Sequence, residues 1–165
     1  MKNFQVTSVE DGKKYWISRS CAVAVFLFVK DRNDIYILAN KRGNGAADFQ
    51  GLWNCPCGYI DFDETAEEAA CREVFEETGY IITPDQIHLY KVKSIPTENN
   101  QNITLRFVGI IDSDYLCKEA PTGGEPDEVE EVKLIPIRDI TKYQWAFGHL
   151  EIARTLIDLY DSKLK

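Results

Sequence analysis

Positive charge is scarce in this sequence: 19 Lys and Arg stand against 27 Asp and Glu, leaving a net charge of −8 over 165 residues. Bulk DNA or RNA binding needs a basic footprint, and the acidic balance argues against it. Small phosphorylated ligands are not excluded, because a bound cation can supply a local positive field. No apolar run approaches the roughly 18 residues of a membrane-spanning helix, so no membrane partner is expected. The five cysteines, Cys21, Cys55, Cys57, Cys71 and Cys117, are odd in number and form no disulfide ladder. With no secretory n-region and h-region at the start, they point to a reducing, cytoplasmic setting. Cys55-Pro56-Cys57 lacks the second pair that a four-ligand zinc site needs. Repeats, low-complexity tracts and dividing linkers are lacking too. The remaining composition, 44% hydrophobic and 28% charged, is that of one ordinary globular domain, large enough to bury a core unaided.

The informative stretch runs from Gly58 to Tyr80, GYIDFDETAEEAACREVFEETGY. Thr65-x-x-Glu68 reads as a capping box at a helix start, and Gly79 as the residue just past its end. A helix is therefore expected from Ala66 to about Thr78. Glu73, Glu76 and Glu77 share one face of it at i, i+3, i+4 spacing, and like-charged neighbours there cost roughly 0.2–0.5 kcal/mol per pair. Glu76 and Glu77 also occupy the last turn, where the helix dipole disfavours anions by about 0.3–1 kcal/mol each. An acidic helix run is by default a solvated face, yet Ala66, Ala69 and Ala70 fall on the same side as the glutamates. Small residues there let another backbone or a ligand come close. Arg72, at i, i+4 to Glu76, can brace the cluster from its flank. Clustered carboxylates in a locally unfavourable place suit a hard divalent cation such as Mg²⁺ or Mn²⁺.

The pattern Gly58-x5-Glu64-x7-Arg72-Glu73-Val74-x-Glu76-Glu77-x-Gly79 resembles the Nudix box, a long and specific signature. Tyr80 stands where the family prefers an aliphatic residue, and Cys57-Gly58 where it commonly has Gly-Gly. The resemblance implies an α/β fold, a Nudix-type α/β/α sandwich with a mixed β-sheet. It implies Mg²⁺ (with Mn²⁺ an alternative) held by Glu73, Glu76, Glu77 and the backbone carbonyl of Cys57. Arg72 would orient the glutamates, and Glu64 would support the loop or a water on the metal. It also implies a general base, either a box glutamate or a carboxylate from a loop outside it. Glu125, Asp127 and Glu128 are the outside candidates, and Glu128 is preferred.

Taken in order, residues 1–20 read as an N-terminal hairpin extension turned at Asp11-Gly12, and residues 21–165 as the Nudix domain. The hairpin is an edge addition to the sheet or a contact in a homodimer. Cys21 to Lys30 is a nearly continuous apolar run, as in a strand buried on both faces. Ile35 to Lys41 returns as a second strand, followed by Lys41-Arg42 and a Gly/Ala-rich loop. Trp53 is expected to pack at the entry to the box. Further strands are expected at Gln86–Ser94, Ile103–Ile111 and Val129–Ile137. A last helix is expected from His149 to about Tyr160, on an apolar stripe of Leu150, Ala153, Leu156, Ile157 and Tyr160. Of the only two histidines, His88 is expected to be structural and His149 to begin this helix.

Arg42 and Lys41 read first as a strand end reaching water. The resemblance offers them as partners for substrate phosphate, for which Arg is well shaped. Trp145 and Phe147, with Tyr143, lie in a loop where a nucleobase could stack, although such aromatics more often pack. Pro96, 16 residues beyond the box, stands near an offset that the family associates with ADP-ribose hydrolysis. The implied activity is metal-dependent cleavage of a nucleoside diphosphate linked to another moiety, with ADP-ribose or a nucleotide sugar as leading substrate. Nucleoside triphosphate pyrophosphatase activity and non-catalytic nucleotide sensing are the alternatives.

Overall fold

The computed structural model describes residues 3–32, 34–97, 101–124 and 127–164. Its first elements are β1 (Phe4–Thr7) and β2 (Lys14–Ile17), then the long strands β3 (Cys21–Asp31) and β4 (Asp34–Arg42). The short strands β5 (Trp53–Asn54) and β6 (Cys57–Tyr59) lead into α1 (Ala66–Thr78) and β7 (Tyr80–Ile81). Then come β8 (Ile87–Lys93), β9 (Ile103–Asp112), β10 (Cys117–Lys118), β11 (Val129–Pro136) and α2 (His149–Leu164).

The main sheet runs β11-β4-β3-β9-β8, with β5 paired to β4 and β6 to β3. The β3–β9 pair is parallel and the others are antiparallel, so the sheet is mixed. Alternation along β3 divides the core. Val23, Val25 and Leu27 join Ala69, Ala70 and Val74 of α1 on one face. Ala24, Phe26 and Phe28 join Ala153 and Leu156 of α2 on the other. Because a strand's side chains alternate between faces, an uninterrupted apolar run is what a sheet covered on both sides requires. The result is the expected α/β/α sandwich. Among the described residues no helix is long and apolar enough to cross a membrane.

The hairpin differs from its sequence reading. Asp11-Gly12 lies inside a longer loop closed by a Ser8 N–H to Lys13 carbonyl bond of 2.8 Å, and Val9 sits exposed in that loop. Among the described residues β1 and β2 pair only with each other, as a separate two-stranded sheet. The last helix runs four residues beyond Tyr160 because Leu164 is buried in the α2-side core.

Candidate active site

α1 starts and stops on local chemistry. Thr65 caps it, its side chain accepting from the Glu68 N–H, while the Glu68 carboxylate accepts from the Thr65 N–H at 2.7 Å. Gly79 ends it at φ 75°, with its N–H bonded to the Phe75 carbonyl. Fully buried Ala69 and Ala70 let the helix sit close against β3, so the backbone that the small residues admit is the sheet itself. That approach carries the glutamates inward with them. Glu77 is 5% exposed.

One arginine organises the rest. Arg72 Nε donates to Glu64 Oε2 at 2.9 Å and Nη2 to Glu64 Oε1 at 2.6 Å, a bidentate pair. Its Nη1 donates to Glu73 Oε1 at 2.8 Å and to Glu76 Oε2 at 2.9 Å, and Nη2 also reaches the Tyr59 carbonyl. Glu64 accepts in addition from the Asp61 N–H at 2.7 Å, so the loop before the helix is tied to the helix. The Arg72 hydrogen bonds hold Glu64 below the usual carboxylate range.

Glu73 and Glu77 lie on the other side of the balance. Burial pushes the Glu73 carboxyl up to about 7, against the pull of Arg72. Burial likewise drives Glu77 well above the ordinary range, reinforced by the negative charge of Glu73 and Glu128. Glu77 Oε2 accepts the Cys57 N–H at 3.1 Å, while its Oε1 is buried with no hydrogen-bond partner. An unsatisfied buried oxygen costs about 1–3 kcal/mol.

These side chains line one cleft of about 710 Å³. It is lined by Cys57, Gly58, Arg72, Glu73, Glu76 and Glu77, together with Gly123, Gly124, Asp127, Glu128 and Glu130. Glu128, the preferred base from sequence, thus shares a cleft with the glutamates of α1, and Asp127 does too. Glu125 lies outside the described residues.

The NUDIX domain family model matches residues 19–156 of this chain. The chain belongs to the Nudix family. An ADP-ribose pyrophosphatase of Methanocaldococcus jannaschii is 31% identical over 150 residues, covering 91% of this chain and 81% of that protein. The phosphatase NudJ of Escherichia coli is 32% identical over 92 residues, spanning 56% of each chain, little more than half of that relative. Among solved structures, the NUDIX domain of Shewanella oneidensis NrtR, complexed with ADP ribose, superposes with a TM-score of 0.68. That pair is 21% identical and the match covers 87% of this chain and 89% of the other, a likeness of fold.

The Nudix donor set fits a hard divalent cation by its chemistry. Glu77 offers a buried, partnerless oxygen, and Glu73 offers a carboxylate that burial makes costly to ionise alone. Gly58 leaves room that any Cβ would fill, since one built there would overlap the Glu73 carboxylate. Among the described residues, no three His, Cys, Asp or Glu side chains converge on one point as they stand. Glu73 and Glu76 each accept from Arg72. At Cys57 the thiol turns aside to accept from Asn54 Nδ2 at 3.4 Å, while the backbone pairs with Ala24 of β3.

Three residues were expected to meet substrate, Arg42 at its phosphate and Trp145 and Phe147 at its nucleobase. Arg42, Trp145 and Phe147 do not line the cleft. Arg42 is buried, donating through Nε and Nη2 to Asp48 at 2.8 and 3.0 Å, with its guanidinium 5.1 Å over the Phe147 ring. It acts on the cleft through space, as a positive charge near Glu77. Trp145 packs rather than stacks: its Nε1 donates to the Ile140 carbonyl at 2.8 Å, and its ring lies against the α2-side core. Trp53 packs as expected, edge-on to Tyr143. Lys41 pairs with Glu130 at 2.7 Å. His149 begins α2 and accepts the Cys55 N–H on Nδ1 at 3.0 Å, and burial lowers its ring to about 3.

Sequence reasoning missed Phe49. Its ring meets that of Phe147 edge-on at 4.9 Å, and both residues adopt left-handed backbone, φ 50° and 56°. Bulky residues rarely adopt this conformation, and such strain concentrates at ligand-contacting segments. No residue pattern announced it, because the pairing joins two loops far apart in the chain.

Proposed function

We propose that this Nudix protein hydrolyses the diphosphate linkage of ADP-ribose or a similar nucleoside diphosphate sugar, releasing a nucleoside monophosphate and a sugar phosphate. The observation that carries this reading is the buried, partnerless oxygen of Glu77 beside Glu73, with Glu128 lining the same cleft. Glu73, Glu76, Glu77 and the Cys57 carbonyl are the proposed holders of Mg²⁺, with Mn²⁺ able to replace it. A bound divalent ion neutralises charge on the diphosphate and lowers the pKa of a coordinated water. Arg72 fixes the glutamates in register with the Tyr59–Glu64 loop. Glu128 is the proposed general base, its carboxylate taking a proton from the attacking water. Phe147, with Phe49, offers an exposed aromatic surface outside the cleft lining for the nucleobase, and Arg42 lies over the Phe147 face.

The choice of ADP-ribose is supported by the name of the Methanocaldococcus jannaschii relative, which the match covers for 81% of its length. A cytoplasmic, metabolite-directed protein without bulk nucleic-acid or membrane partners accords with the acidic balance of the sequence. Self-association through the β1–β2 hairpin belongs to the same reading, and sedimentation of a monomer at assay concentrations refutes it.

The test is product identification from ADP-ribose, nucleotide sugars and nucleoside triphosphates, each with Mg²⁺ and with EDTA. AMP and ribose 5-phosphate formed only with metal support the reading. Pyrophosphate released from triphosphates at a higher kcat/KM replaces it with pyrophosphohydrolysis.

A further inference from the structure

Glu128 hangs on a segment that a different part of the molecule holds in place. Residues 119–124 lie against the end of α1, where the Glu119 N–H bonds the Gly79 carbonyl at 2.8 Å. Asp127 and Glu128, by contrast, are gripped from the loop that follows β4. The Gly43 N–H donates to the Glu128 carbonyl at 2.6 Å, and the Gly45 N–H to the Asp127 carbonyl at 2.8 Å. Between these two bonds Asp127 adopts φ 59°, a left-handed conformation uncommon outside glycine and most often met at Asn and Asp.

Gly43 is not required by its own backbone angle, because its φ lies outside the left-handed region. It is required by close approach. A Cβ on Gly43 would overlap the Asp127 carbonyl oxygen and stand 3.1 Å from its carbonyl carbon and 3.2 Å from that of Glu128. All these are backbone atoms, so no side chain can swing away and the Asp127–Glu128 unit itself must move. The gripping loop is in turn stiffened by its own contacts. Arg42 holds Asp48, and Gln50 Nε2 donates to the Asn44 and Ala46 carbonyls at 3.0 and 2.9 Å.

We propose that Gly43 is a positioning residue for Glu128, setting the carboxylate's place in the cleft by its backbone hydrogen bond to the Glu128 carbonyl and by a contact with Asp127 that only glycine permits. The proposal rests on Glu128 being the proton acceptor. A displacement of about 1 Å in a reacting geometry costs up to ~10²-fold in rate, and loss of a general base costs ~10²–10⁴-fold.

The test is a four-enzyme comparison on ADP-ribose with Mg²⁺: the parent, Gly43→Ala, Glu128→Gln and the double variant, each checked by thermal melting. Expected is a kcat for Gly43→Ala lower by roughly 10- to 100-fold with KM within about twofold of the parent. Expected also is a double variant no slower than Glu128→Gln alone, because Gly43 acts only through that carboxylate. If Glu128→Gln is slow but Gly43→Ala matches the parent, or the two losses multiply, the positioning role is wrong and the base assignment stands. If Glu128→Gln matches the parent, the base assignment itself falls and the proposal with it. If Gly43→Ala does not fold, the parent carries the test. A through-hydrogen-bond NMR coupling from the Gly43 amide nitrogen to the Glu128 carbonyl carbon is expected, and its absence in the folded, metal-loaded protein overturns the proposal.

Discussion

Replacing Glu73 by Gln should make the metal-free protein more stable at alkaline pH. Burial raises the Glu73 carboxyl from an ordinary 4.5 to about 7 in the folded chain. A raised folded-state value means that the folded chain binds the proton more tightly. The associated stability is full below about 4.5 and is lost as pH climbs through about 7. At pH 8, where the carboxylate is ionised in both states, the folded protein carries a cost on the order of 3 kcal/mol. Gln keeps the shape and can still accept from Arg72, but it cannot ionise. In EDTA the variant and parent should melt within a few degrees at pH 5. At pH 8 the variant should melt higher by roughly 6–12 °C, taking about 2–4 °C per kcal/mol for a domain of this size. His149 titrates in the opposite sense, its folded value being lowered to about 3, but it is common to both proteins and cancels in the difference. Relief of Glu77 from the Glu73 charge, by contrast, widens the gap at high pH. Saturating Mg²⁺ should narrow or invert the gap, because at a hundred times Kd it adds about 2.7 kcal/mol to the form that binds it. A variant that melts lower than the parent at pH 8 in EDTA refutes the reasoning. So does a gap that is the same at pH 5 and pH 8.

Arg72→Ala should cost about 2–3 kcal/mol in stability through lost charged hydrogen bonds, and lower kcat by releasing Glu64, Glu73 and Glu76 together. Denaturant unfolding and steady-state kinetics read the two effects, and unchanged kcat contradicts the bracing role. The aromatics should separate cleanly. Trp145→Phe removes one of two donors to the Ile140 carbonyl, the Tyr143 N–H remaining, and should cost about 1 kcal/mol without moving KM. Phe147→Ala should raise KM for ADP-ribose several-fold, and the reverse pattern shows that Trp145 is the stacking residue.

What was legible in the sequence was mostly what is local in the chain. The start and end of α1 were written in Thr65, Glu68 and Gly79, whose partners lie within a turn. The burial of β3 on both faces followed from an unbroken apolar run. The glutamate–alanine face was also correctly read as one that something must approach closely. What stayed hidden depends on pairings distant in sequence. Arg42 looked like a strand end open to phosphate, but Val129 pairs with it on one side and Leu52 bonds its N–H on the other, closing the chain over it. Trp145 looked available in its loop, but its indole N–H donates to the Ile140 carbonyl. β5 and β6, at two and three residues, are too short for any periodicity, and only β4 and β3 make them strands. The Arg72 fork to Glu64 was half visible: the bond to Glu76 follows helical spacing, whereas that to Glu64 needs the preceding loop folded back.

The central claim is that the buried Glu77 carboxylate holds a divalent ion which drives hydrolysis of a diphosphate. The most direct test is turnover of ADP-ribose by the parent and by Glu77→Gln, in Mg²⁺, with products identified and Mn²⁺ affinity measured in parallel. The account predicts AMP and ribose 5-phosphate from the parent. For the variant it predicts a kcat lower by on the order of 100-fold or more, with weakened Mn²⁺ binding and an intact thermal transition. A folded Glu77→Gln that binds Mn²⁺ and turns over at the parent's rate contradicts it.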